Sequence, residues 1–243
     1  MVRETFEITT MKKPFFNRTE AGKFLAENLS GYVDRDDVLL LALPRGGVPV
    51  ALEVAKRLKV PLDVFVVRKL RLPDRPEIIM GAIASGGVRV TNRDVVEGWQ
   101  IAEIVVDAVA AQEQEELALR ERAYRGDLPP HKVKGKTVIL VDDGIATGST
   151  MLAAIAALRQ LDAGRIVAAA PVIAGSTYYR IRRAADDVAA VIVPDEFYGI
   201  GEWYEDFSLI TDDEVHRLLA QAKLVDPIAP TTVQSVNRAG LRV

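Results

Sequence analysis

The sequence predicts an α/β fold: a doubly wound, mainly parallel five-stranded sheet with helices on both faces and a small β-hairpin. Three observations carry that expectation. Five short apolar runs recur at residues 38–43, 62–67, 137–141, 166–173 and 188–193. They are nearly continuous in Val, Ile, Leu and Ala, as in strands buried on both faces. Amphipathic segments at helical spacing separate most of them, the signature of crossover connections.

The elements follow in order. Residues 1–13 show little periodicity and read as a tail ahead of a domain at 14–222. From Thr19 as an N-cap, Ala21, Phe24, Leu25 and Leu29 recur as one face of a first helix that ends near Gly31. Helices fit residues 48–58, 149–161 and 177–185, and residues 80–91 read as a hairpin turning at Gly86-Gly87. Residues 100–124 form one long helix with Ile101, Ile104, Val105, Ala108 and Val109 on a face, followed by a solvated run of Glu and Gln. An aromatic and acidic stretch, 194–209, precedes a terminal helix from Asp212, and residues 223–243 read as a second tail.

Composition narrows the function. The chain has 243 residues, 49% apolar and 27% charged, with a net charge of -3. That balance fits a folded, cytoplasmic domain and argues against nucleic acid or an anionic membrane as partner. No run is long enough to span a bilayer. With no cysteine, disulfides, thiolate nucleophiles and Cys-based zinc sites are excluded. The two histidines, His131 and His216, lie beside no nucleophile elbow.

The chemistry concentrates in residues 138–150, where an apolar strand delivers Asp142 and Asp143 into a small, hydroxyl-rich turn and then a helix. Such a junction lies at the carboxyl end of the strands, where open α/β sheets bind ligands. Backbone amides, a helix N-terminus and the hydroxyls of Thr147, Ser149 and Thr150 around Gly148 suit a phosphate dianion. Two carboxylates would repel a bare polyphosphate, so they make sense if a diol adjoins the phosphate, as in ribose 5-phosphate. Taken alone Thr147-Gly148 would be an ordinary turn; the whole run makes the case. In residues 41–50, Pro44, Arg45, Gly46 and Gly47 form a second turn into a helix whose amides can face an anion. Arg68 and Lys69 close the second strand at the same edge, where a cation would offset charge on a departing group.

These two segments resemble the type I phosphoribosyltransferases, and most of all a bacterial-type group carrying the Pro-Arg-Gly-Gly and Val-Asp-Asp-Gly-Ile-Ala-Thr-Gly patterns. The resemblance covers about residues 15–219. It implies binding of 5-phosphoribosyl-1-pyrophosphate (PRPP) by Arg45, Gly46, Gly47, Arg68, Lys69, Asp142, Asp143, Ala146, Thr147, Gly148, Ser149 and Thr150, with Asp142, Asp143 and Lys69 in catalysis. It also implies a mobile loop at residues 70–79 and a hood built from residues 14–32 and 194–210. In the hood, Phe197 or Tyr198 would stack on a flat acceptor, and Glu205 or Asp206 would reach a Mg2+ held mainly through substrate and water. A strained peptide is expected before Arg45. Two departures are Gly144, where the family has an apolar residue and the turn would loosen, and Ala146, where relatives acting on 6-oxopurines place an acid.

The expected function is therefore Mg2+-dependent transfer of a phosphoribosyl group to a nitrogenous small-molecule acceptor, a nucleobase among the candidates, with release of pyrophosphate. A homodimer could form through the long helix or the hood. The alternatives are a regulator that binds PRPP or a nucleotide without turnover, and a phosphate-transfer enzyme. The latter lacks its Gly-x-x-x-x-Gly-Lys-Ser/Thr loop.

Overall fold

A computed structural model describes residues 14–126 and 129–223; both predicted tails lie essentially outside them. The expected sheet is present, its five parallel strands being β1 (Val38–Ala42), β2 (Leu62–Val64), β6 (Thr137–Val141), β7 (Arg165–Val172) and β8 (Asp187–Ile192). Their order is β2-β1-β6-β7-β8. The chain leaves β1 toward β2 on one side and later returns to β6 on the other, so the β1/β6 boundary is the topological switch point.

Every residue of β1, β6 and β8 is buried. One face of the sheet is covered by α1 (Arg18–Asn28), α2 (Gly47–Leu58) and α7 (Asp212–Lys223), the other by α5 (Ser149–Gln160) and α6 (Gly175–Ala184). A second, antiparallel sheet holds β3 (Val67–Leu72), β4 (Arg75–Ala84) and β5 (Val88–Thr91), with the turn at Gly86 and Gly87 as expected. A short α3 (Arg93–Gly98) then leads to the long α4 (Glu103–Arg125).

Four expectations need correction. The cap of α1 is Asn17, whose side chain accepts from the Glu20 amide at 3.0 Å, and Thr19 lies inside the helix. The second apolar run splits: β2 stops at Val64, and Val67 already pairs antiparallel with Ala84. Arg68 and Lys69 therefore open the second sheet instead of closing a strand of the first. The segment expected as a mobile loop is paired, with Leu70 opposite Gly81 and Leu72 opposite Arg75. Finally, α4 begins at Glu103, after Gln100 takes a left-handed φ of 50°.

Candidate active site

The 43–47 turn and the 142–148 turn leave adjacent strands at their carboxyl ends, since Ala42 is in register with Val141. The two turns interlock through backbone. The Leu43 amide donates to the Val141 carbonyl at 2.8 Å. A Cβ on Gly47 would lie 2.6 Å from that same carbonyl oxygen, and one on Gly46 would lie 2.0 Å from Asp143 Oδ2. Both glycines are thus required by close approach, which any side chain would block. The peptide between Pro44 and Arg45, where strain was expected, is cis. Arg45 itself reaches Asp212, 3.8 Å away at the start of α7. Asp212 also accepts from the Tyr124 hydroxyl, and burial together with that acid pushes the Tyr124 phenol up to about 12.

The second turn ends at Gly148, which has φ of +72° and starts α5 with no side-chain cap. The first-turn amides of α5 therefore have no partner within the helix and point outward beside the positive end of its dipole. Thr147 is exposed, and its hydroxyl is 3.2 Å from Ser149 Oγ. The turn is held from below, where the Thr177 hydroxyl donates to the Ala146 carbonyl at 2.6 Å. Arg180 lies at its flank, donating to the Thr147 carbonyl at 3.4 Å. Gly144 does not loosen the turn: its φ is ordinary, and a Cβ there would lie 2.5 Å from Ile200 Cγ2. The small residue admits Ile200 of the hood.

Successive strand residues face opposite sides, and this separates the basic pair. Arg68 turns toward α4 and binds Glu113 at 2.5 Å. Lys69 turns toward α5, where its ammonium donates to Ser149 Oγ at 2.6 Å. Burial, with Arg71 nearby, holds the Lys69 pKa below its ordinary value. Of the two basic residues, Lys69 is thus the one placed at the Thr147–Thr150 turn.

The acidic pair also divides. Asp143 is buried, and its Oδ2 accepts from Arg18 Nε at 2.7 Å. The Tyr204 hydroxyl donates to its backbone carbonyl at 2.6 Å. Asp142 is half-buried and accepts from the Asp143 amide at 2.9 Å. Desolvation first, and then the Asp143 charge, raise its carboxyl well above the ordinary range.

The hood residues divide between packed and exposed positions. Phe15 and Phe16 pair with the 203–206 segment through three backbone hydrogen bonds of 2.8 Å each. Phe197 packs against the core, whereas Tyr198 is 81% exposed. Asp206 caps the Ser208 turn, accepting from its amide at 3.0 Å, and this lowers the Asp206 pKa. Glu205 is exposed, and neither acid joins a carboxylate cluster among the described residues. Missed by sequence reasoning are Arg18, Tyr204 as an anchor, and Phe207, which stacks on Tyr204 with centroids 5.1 Å apart.

The family model for a phosphoribosyl transferase domain matches residues 17–205. The chain belongs to the phosphoribosyl transferase family. A relative from Mycobacterium tuberculosis, provisionally named a phosphoribosyl transferase, is 41% identical over 224 residues covering 89% of this chain. The chain spans about half the length of that relative, 50%. The crystal structure of TT1426 from Thermus thermophilus is 38% identical, with a TM-score of 0.77, covering 86% of this chain and 98% of that one. A ribose-phosphate pyrophosphokinase from Thermococcus kodakarensis matches a shorter stretch, 46% identical over 59 residues, or 24% of this chain and 21% of that enzyme. Among the described residues, no helix of this family member is long and apolar enough to cross a membrane.

Proposed function

We propose that the protein transfers the 5-phosphoribosyl group of PRPP to a nitrogenous acceptor, releasing pyrophosphate, with Mg2+ bound alongside the substrate. The observation that carries this reading is the meeting of two anion-suited turns at the switch point, locked together where Gly46 touches Asp143. The carboxylates stand between the turns, where a phosphorylated sugar presents its diol.

The Thr147–Thr150 turn, with the Lys69 ammonium on Ser149, holds the 5-phosphate and so fixes the sugar. This moves Lys69 from the leaving pyrophosphate to the phosphate that stays. Arg45, Gly46 and Gly47 receive the pyrophosphate. Asp142 accepts from the ribose hydroxyls and balances positive charge developing at the anomeric carbon. There the bond to the pyrophosphate oxygen breaks, a bond to the acceptor nitrogen forms, and the acceptor's proton passes to solvent or pyrophosphate.

No three Asp, Glu or His side chains converge on a metal among the described residues. Mg2+, which keeps waters and takes few protein carboxylates, would be held mainly through PRPP oxygens and water, and Glu205 or Asp206 of the hood would be the protein acid to reach it. When bound, Mg2+ offsets charge on the pyrophosphate. Tyr198, exposed on the hood, is the aromatic of the expected Phe197/Tyr198 pair that is free to face the acceptor.

Calorimetric titration with PRPP, with and without Mg2+, followed by a pyrophosphate-release screen over purines, pyrimidines and small amines, tests this. Binding with release for one acceptor supports transfer. Binding without release across the screen would favour a regulator, and no PRPP binding would remove the reading.

A further inference from the structure

Arg18 opens α1, yet its guanidinium lies beside an acid 125 residues away in the chain. Its Nε donates to Asp143 Oδ2 at 2.7 Å, and its Nη1 donates to the Ser208 carbonyl at 2.8 Å. The guanidinium carbon is 3.9 Å from the centroid of the Phe207 ring and 5.9 Å from that of Tyr204. The side chains of Arg18 and Asp143 are only 10% and 11% exposed. A pair this deep is committed, because separating it leaves an unpaired charge out of water.

Gly46 crowds that same carboxylate, since an added Cβ would come within 2.0 Å of Oδ2, the oxygen that accepts from Arg18, and 3.0 Å of Oδ1. Asp143 is therefore pinned by a guanidinium and packed against a loop backbone, while Tyr204 holds its carbonyl. Asp142 keeps partial exposure, and its bond is to the amide of its own neighbour.

We propose that Arg18 is a positioning residue for phosphoribosyl transfer: it holds Asp143 against Gly46, and so leaves Asp142 as the acid of the pair that meets the ribose hydroxyls. This rests on the transfer reading above. Asp143 becomes a joint between β6, the Arg45–Gly47 turn and the hood. Charged or titratable groups around the pair are Arg18 from α1, and Tyr204 and, beside Arg18, Asp206 from the hood. Without the Arg18 charge, adjacent carboxylates repel unopposed, and Asp142 takes up a proton at higher pH. A protonated acid is a poorer acceptor for a diol.

The experiment titrates PRPP with Mg2+ by calorimetry, from mildly acidic to mildly basic pH, into wild type, R18Q, R18K, D142N, D143N and R18Q/D143N. Thermal melts of each protein run alongside. R18Q is expected to bind roughly tenfold more weakly at neutral pH, with the acid-side loss of affinity displaced to higher pH. R18K keeps the wild-type acid side, because it keeps the charge. Adding D143N to R18Q returns the acid side toward wild type, because the repelling neighbour is gone, and D142N costs more affinity than D143N.

The proposal is overturned if R18Q shows an unmoved acid side, which marks Arg18 as structural only. It is also overturned if the double variant binds worse than R18Q, or if D143N costs as much as D142N, since either places Asp143 on the sugar. Should R18Q not fold, the D142N and D143N comparison and R18K carry the same decision. Wild-type protein that takes no PRPP would instead remove the transfer reading, an outcome separable from any difference among variants.

Discussion

Replacing Asp143 by Asn removes one charge from the Arg18–Asp143 pair and leaves the shape almost unchanged. Both side chains are about nine-tenths buried. Breaking such a pair by removing one partner typically costs about 3–5 kcal/mol. The amide oxygen can still accept from Arg18 Nε, and the Tyr204 bond goes to the backbone carbonyl and survives. The expected loss therefore sits at the low end, about 3 kcal/mol. In a domain of this size each kcal/mol moves the melting temperature by about 2–4 °C, so a fall of about 6–12 °C follows. Differential scanning calorimetry at neutral pH, with a urea titration to check that the m-value is unchanged, measures it. Asp142→Asn is the control, because that neighbouring acid has no cation in direct contact among the described residues. If D143N melts within about 2 °C of wild type, the ion pair contributes little and the picture of a pinned Asp143 is wrong.

Further outcomes follow from the same geometry. The Asp142 pKa is raised above its ordinary 3.8, so its stabilising contribution is complete below about pH 4 and is lost as pH rises through the folded value. D142N should then melt at or above wild type at neutral pH while losing PRPP binding; a lower melting temperature would contradict the sign. Ser149→Ala should weaken PRPP by about 1 kcal/mol, roughly fivefold, and leave affinity for a ribose lacking the 5-phosphate unchanged. Equal losses for the two ligands would move Ser149 off the phosphate. Gly144→Ala should cost about 1–3 kcal/mol of stability through its clash with Ile200, and the cost should largely vanish in Gly144→Ala/Ile200→Ala. Additive losses in urea denaturation would show that the contact is not the cause.

The sheet and the phosphate turn were legible because their signals are local. Continuous apolar runs announce doubly buried strands, and Asp142 to Thr150 lie side by side in the chain. The division of labour within the site was not legible. Asp142 and Asp143 are adjacent and chemically identical, so only a contact from far along the chain separates them, and Arg18 looks like any helix-opening arginine. Similarly, Arg68 and Lys69 read as one basic pair until strand geometry sends them to different helices. The run at residues 62–67 hid a change of sheet because Phe65 and Val66 stay buried through the turn, leaving no polar residue to mark it. The cap at Asn17 is hard to single out in the sequence because Thr19, two residues on, is also a good capping type. Gly144 misled for a different reason: its partner, Ile200, belongs to a segment whose aromatic composition fixes no alignment.

The bordering strand β2 carries a quieter lesson. Its Val64 N–H is met by Asp63 Oδ1 at 2.7 Å and its Val64 carbonyl by Arg125 Nη2 at 2.8 Å. Arg125 is the last residue of α4, and its Nε also binds Asp63 at 2.7 Å. The terminal arginine of one helix thus plugs the open hem of the sheet, where an unmet row of amides and carbonyls would invite a strand from another molecule. A residue at the far end of α4 therefore shields one sheet edge. Arg125→Ala should reveal itself first as a self-associating protein, visible by light scattering, well before it shows any defect in handling ligand.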